Sequence, residues 1–269
     1  MSDANWLWPI DGKSFYDINN NNYLVHIDWS KNSKEDYQKL SQDFFECGYK
    51  ICEKIVDSGH DNIKSDMWFF PTMYLFRHGM ELGLKALICG AISEKRKIQQ
   101  IFLDCKHDLY MLFDAYERET AILLTEEEYG WMKKYLHSLE EVDAKSDFFR
   151  FPLEDEFLLN YQNKFLDIVD MANSMLQAYG IIQKCLEIQE ENRIDRFDAL
   201  RSSVFLQFAN HGFGNCYLWE SITGDGFHKL VLGYSQSAEF LFCECDEISK
   251  EEKVFPILFL LRNLIELGL

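Results

Sequence analysis

A chain of 269 residues that is 47% hydrophobic and holds 22 phenylalanines has material for a sizeable core, which excludes a wholly disordered protein. Its 45 acidic and 27 basic side chains leave a net charge of −18, which excludes broad non-specific binding to polyanions while leaving room for a local basic pocket. No apolar run is long enough to span a membrane, the opening Met1-Ser-Asp-Ala-Asn-Trp6 lacks the features of a signal peptide, and the eight cysteines include no C-x-x-C pair. A reduced, cytoplasmic protein with no metal and no cofactor is the expectation.

Residues 1–33 are aromatic, rich in asparagine and irregular, with a turn over Asn19 to Asn22 and a short strand over Tyr23 to Asp28. From Ser33 to about Ser58, Tyr37, Leu40, Phe44, Cys47, Ile51 and Ile55 recur at helical spacing, and Gly59 is a stop. The stretch from Phe70 to about Ile92 is a central helix, with Pro71 at its first position and apolar residues all round its axis. Such a helix belongs inside a bundle, yet Arg77, Glu81 and Lys85 form one line along it and His78 lies beside Glu81. Charges placed there must be paired or used.

Residues 97–105 are ambiguous. Lys106 to Tyr116 reads as a helix with Asp108 suited to its N-terminal end, and Thr125-Glu-Glu-Glu128 is a capping box opening another helix through about Leu139. Asp147-Phe-Phe-Arg-Phe-Pro152 reads as extended because no helix continues into its proline. A long helical stretch runs from about Asp155 to Arg193, with Phe157, Phe165, Met171 and Ile182 among its buried stripe. Residues 194–226 carry turn chemistry, and helical character returns from Phe227 to Cys245 and from Phe255 onward. The organisation predicted is an all-α, up-and-down bundle over 34–193, a linker or small irregular subdomain over 194–226, and the start of a second, incomplete module over 227–269.

That second module rests on an internal repeat. Phe70 to Leu84 and Phe255 to Leu269 are identical at eight of fifteen positions, and the same offset of 185 places Gly48-Tyr49 on Gly233-Tyr234. The repeat halts just before the equivalent of Lys85. A terminal helix this apolar needs a surface, either the first module or another chain, so a homo-oligomer or a partner protein held through the C-terminal helix is expected.

The pattern F-P-x-x-Y-L-F-R-H-x-x-E-L-x-L-K-A-L-I over 70–88, followed by K-H-D-L from Lys106 and F-R-F-P from Phe149, resembles prokaryotic proteins of the HEPN superfamily. The resemblance covers roughly Tyr37 to Leu186, with a second partial match over 227–269. It implies small helical bundles, frequent dimers, and roles in toxin–antitoxin, phage-defence and RNA-processing systems, in which many members are metal-independent ribonucleases. Those members carry an arginine and, four to six residues later, a histidine. None of the eight arginines here has a histidine at that spacing, and the adjacent pair Arg77-His78 stands in its place.

Two readings of the central stripe follow. In the first, Arg77 and Lys85 bind a phosphate while His78, oriented by Glu81, acts as the proton-exchanging catalytic pair with it, and His107 and Arg150 add substrate contacts, giving a protein that binds or cleaves RNA. In the second, the charges are an i, i+4 salt ladder that fixes helix register in a non-catalytic interaction or dimerisation module. The repeat keeps Arg262 and Glu266 but has Asn263 where His78 stands, which favours a structural role for the Arg–Glu pair. Asp108 is explained by capping, and Arg150 equally by a surface position over aromatic rings.

Overall fold

The computed structural model describes residues 25–59, 61–121, 123–143, 145–150, 164–186, 197–217 and 224–268. These form eight helices, α1 (Ser33–Val56), α2 (Asn62–Ala91), α3 (Lys95–Cys105), α4 (Leu109–Glu119), α5 (Glu126–Asp143), α6 (Ile168–Cys185), α7 (Gly224–Cys243) and α8 (Lys250–Gly268). Three two-residue strands complete the described elements: β1 (Phe165–Leu166) lies between β2 (Phe208–Ala209) and β3 (Cys216–Tyr217), antiparallel to both. The chain is predominantly all-α, as the periodicity predicts. Among the described residues no helix is long and apolar enough to cross a membrane.

Several of the helices start where polar side chains satisfy open backbone N–H groups. Asn32 caps α1, Asp61 caps α2, Asp108 accepts from the Met111 N–H at 2.9 Å to cap α4, and Asp167 caps α6. At α5 the reciprocal bonds of a capping box are present: the Thr125 N–H donates to Glu128 at 2.8 Å, and the Glu128 N–H to Thr125 Oγ1 at 3.2 Å.

Helix α2 is the axis of the molecule. It packs on α1, α4, α6 and α7, and its apolar residues from Met67 to Ile88 are buried on every side. Its contact with α1 is close because Ser41 Oγ donates to the Gly79 carbonyl at 2.6 Å, and a Cβ on Gly79 would lie 3.0 Å from the Ser41 carbonyl. One continuous core joins these helices to α7 and α8. The terminal helix therefore packs against α1 as well as α7.

The packing crosses between the two helix pairs of the sequence repeat. The first helix of copy one meets the second helix of copy two, and the second helix of copy one meets the first of copy two. His78 of α2 lies against Phe259 of α8, ring centres 5.0 Å apart, while Asn263, the equivalent of His78, faces Tyr74, the equivalent of Phe259.

Several expectations need correction. Helix α2 begins at Asn62, so Pro71 lies inside it rather than at its first position: the Asp61 cap sets the start, and the proline only removes an internal hydrogen bond to Met67. Residues 95–105 are helical. Residues 25–28 carry no strand, and Tyr23, Leu24 and the turn at Asn19 to Asn22 lie outside the described residues. Phe165 belongs to β1, because the Asp167 cap delays the helix to Ile168; residues 155–163 and 187–193 of that expected helix are outside the described residues. Residues 147–150 form a turn, not an extended segment: the Arg150 N–H donates to the Asp147 carbonyl at 3.1 Å, and the Phe148 N–H to Asp143 Oδ1 at 2.9 Å. Phe151 and Pro152 lie beyond the described residues.

Candidate functional site

The charged line on α2 meets the C-terminal end of α5 and the turn before α4. Arg77 is fully buried, and each of the three nitrogens of its guanidinium has an oxygen acceptor within reach. Nη1 donates to Glu81 Oε2 at 2.9 Å, and Nη2 donates to the carbonyls of His107 at 2.6 Å and Asp143 at 3.2 Å. Nε lies 2.6 Å from Asp143 Oδ2, in ion-pair contact without the alignment of a hydrogen bond. The guanidinium has no exposed surface to offer an incoming phosphate.

Glu81 is the other hub. Its Oε1 accepts from Lys85 Nζ at 2.6 Å and lies 3.0 Å from His107 Nδ1. Burial alone would raise its pKa. The His107 hydrogen bond and the charges of Arg77, His78 and Lys85 together outweigh that and hold the carboxyl far below its usual range, so it is ionised. An ionised carboxylate only accepts, which makes His107 Nδ1 the protonated nitrogen. Asp143 behaves in the opposite sense: burial dominates and raises it, opposed by Arg77 and the backbone N–H groups of Phe148 and Asp147.

His78 does not share this network. Its Nδ1 is 4.0 Å from Glu81, beyond hydrogen-bond reach, and its ring is packed against Phe44 and Phe259 with centres 4.6 and 5.0 Å away. Burial lowers its pKa to about 4, partly opposed by Glu81 and reinforced by Arg77, Lys85 and His107, so the ring is neutral near pH 7. Arg150 also goes elsewhere. Its Nε donates to Asn263 Oδ1 at 3.0 Å and its Nη2 pairs with Glu266, tying the turn after α5 to α8. It neither joins Arg77 as an anion ligand nor lies loose on the surface.

The structure thus gathers Arg77, Glu81, Lys85 and His107, and leaves out His78 and Arg150. The histidine held by Glu81 is His107, presented from a turn in which Lys106 takes a φ of 51°. His107 is half exposed and Lys85 partly so, so only this end of the network touches solvent. Chemically it is a buried carboxylate orienting an accessible imidazole beside an ammonium group. Asp143, the second acid on Arg77, escaped sequence reasoning because it comes from 66 residues away. Its one signal was an acidic residue closing a helix just ahead of two phenylalanines.

Among the described residues no cluster of His, Cys, Asp and Glu could hold a metal ion, and the eight cysteines are free. Comparison with protein-family models, with curated proteins and with solved structures returned no match.

Proposed function

We propose that this chain is a non-catalytic helical interaction module, resembling HEPN proteins in its sequence pattern, that associates with a second copy of itself through the outer face of α8. The observation that carries the reading is a contrast between equivalent positions of the repeat. Met73, Phe76 and Met80 are fully buried in α2, whereas their equivalents Leu258, Leu261 and Ile265 are 52%, 38% and 62% exposed in α8. In the first copy α4 and α6 help enclose α2, and the described residues contain no second pair of such helices. Three large apolar side chains in one stripe are a surface for a protein partner. The buried Arg77 cluster supports the same reading, because a guanidinium without exposed surface, held by Glu81, Asp143 and two backbone carbonyls, fixes helices and does not meet a substrate.

Light scattering of the purified protein is expected to give about twice the 31.8 kDa of the chain, and Ile265→Asp is expected to halve that mass while leaving the helical circular-dichroism signal intact. A wild-type monomer at high concentration overturns the proposal.

A second reading, a protein of a defence or toxin–antitoxin system that binds or cleaves RNA, draws support from the pair of Glu81 and His107 with Lys85 beside it. It expects cleavage of total RNA by the wild type and loss of that cleavage in His107→Ala. Intact RNA after incubation with wild-type protein would sink it.

A further inference from the structure

Away from the α2 cluster, α1, α6, the segment joining α7 to α8 and the first turn of α8 line a cavity of about 350 Å³ that is partly open to solvent. Asp43 of α1 lines it. This carboxyl is only 6% exposed, and among the described residues no hydrogen bond or ion pair reaches it. Its oxygens are not sealed in the way Asp143 Oδ2 is, so they open into the cavity. A buried carboxylate without a partner is costly, and a cation brought to it would relieve that cost.

The surroundings specify the cation. Glu46, Glu247 and Glu252 add acidic groups around the space, and among the described residues Lys39 is the single basic one that lines it. Glu247 also pairs with Lys50 outside the cavity. Tyr49 and the stacked rings of Phe45 and Tyr179, 3.7 Å apart, offer aromatic surface, and the acidic side chains do not converge as the ligand set of a metal ion. One deep carboxyl, aromatic walls and an acidic rim suit an ammonium group on a short hydrocarbon stem.

We propose that this cavity binds a small organic cation, a protonated alkylamine whose ammonium group pairs with the Asp43 carboxylate. The volume accommodates a short chain of carbon atoms, and a second ammonium group on a diamine reaches the rim acids.

The pairing couples binding to protons. Burial pushes the free Asp43 carboxyl up to about 7, with Lys39 lowering it and Glu252 raising it. The other charged or titratable groups nearby are Glu46, Cys47 and Tyr49 on α1, Tyr179 on α6, Cys245 and Glu247 between α7 and α8, and Lys253 on α8. The cation binds the ionised form, so below pH 7 each unit of acidification displaces the equilibrium about tenfold against binding, and above pH 7 the affinity levels off.

Calorimetric titration with 1,5-diaminopentane and with butylamine, at pH 8 and at pH 6, tests the site. The expected result is measurable binding of both amines at pH 8, tighter for the diamine, and about tenfold weaker binding at pH 6. Asp43→Asn is expected to fold, to weaken binding by at least about tenfold at pH 8 and to abolish the pH dependence. Leu176→Trp, which fills the cavity without touching Asp43 chemistry, is expected to block binding and stands in if the asparagine variant is unstable. No heat with either amine at millimolar concentration, or equal affinity in the wild type and either variant, overturns the proposal.

Discussion

Arg77→Ala is expected to destabilise the fold by about 3–5 kcal/mol, lowering the melting temperature on the order of 10 °C. Removing this side chain takes the ion-pair partner from the almost wholly buried Asp143, leaves Glu81 with Lys85 and His107 alone, and deprives the carbonyls of His107 and Asp143 of their donor. An unpaired carboxylate in such a place costs far more than the cavity left by the missing atoms. The repeat supplies an internal control. Arg262 occupies the equivalent position on α8 and pairs with Glu266 at 2.8 Å, but it is 65% exposed. Water screens that pair, so Arg262→Ala is expected to change stability by no more than about 0.5 kcal/mol. Chemical denaturation of both variants decides the matter: equal losses would mean that burial, the quantity distinguishing the two copies, does not set the worth of the pair.

The same contrast shows how much could be read from the chain. An apolar rod carrying Arg77, Glu81 and Lys85 in one line announces both its burial and its pairing, because helical spacing alone brings those three together. The caps at Asp108 and Thr125 were legible for the same local reason. Contacts between distant segments were not. His78 stood three residues from Glu81 and invited a pairing, yet the ring turned toward Phe44 and Phe259, and Glu81 took His107 from 26 residues away. Strands of two residues carry no periodicity, so the sheet of β1, β2 and β3 left no trace beyond turn residues. Asp43 did leave one. It is an acid one residue ahead of Phe44 and four before Cys47, both buried, although Lys39 four residues earlier offers a ready partner, so only the structure shows that Asp43 stands unpaired.

Gly233→Ala is expected to loosen the packing of α7 on α2, with a loss of about 1–3 kcal/mol or more. Pro71 has no N–H to give to the Met67 carbonyl one turn back, so that oxygen is left unpaired within α2 and faces α7. The α7 backbone approaches so closely there that a Cβ on Gly233 would stand 1.9 Å from the Met67 oxygen. Backbone cannot yield as a side-chain tip does, and the two helices must separate. Separation also strains the contacts that follow from it, the bond from Trp68 to Gln236 at 3.0 Å and that from the Tyr234 hydroxyl to the Phe149 carbonyl at 2.7 Å. Limited proteolysis is therefore expected to cut the variant between residues 197 and 250 sooner than the wild type, while the α1–α2 hairpin resists. Gly130→Ala is the matching control: nothing lies within 4 Å of its Cβ on α5, so alanine there is expected to stabilise by about 0.4–1 kcal/mol through a less flexible unfolded chain. If both alanines raise stability, the close approach of α7 at Gly233 is not a constraint on the fold, and the union of the two repeated hairpins depends on side-chain packing alone.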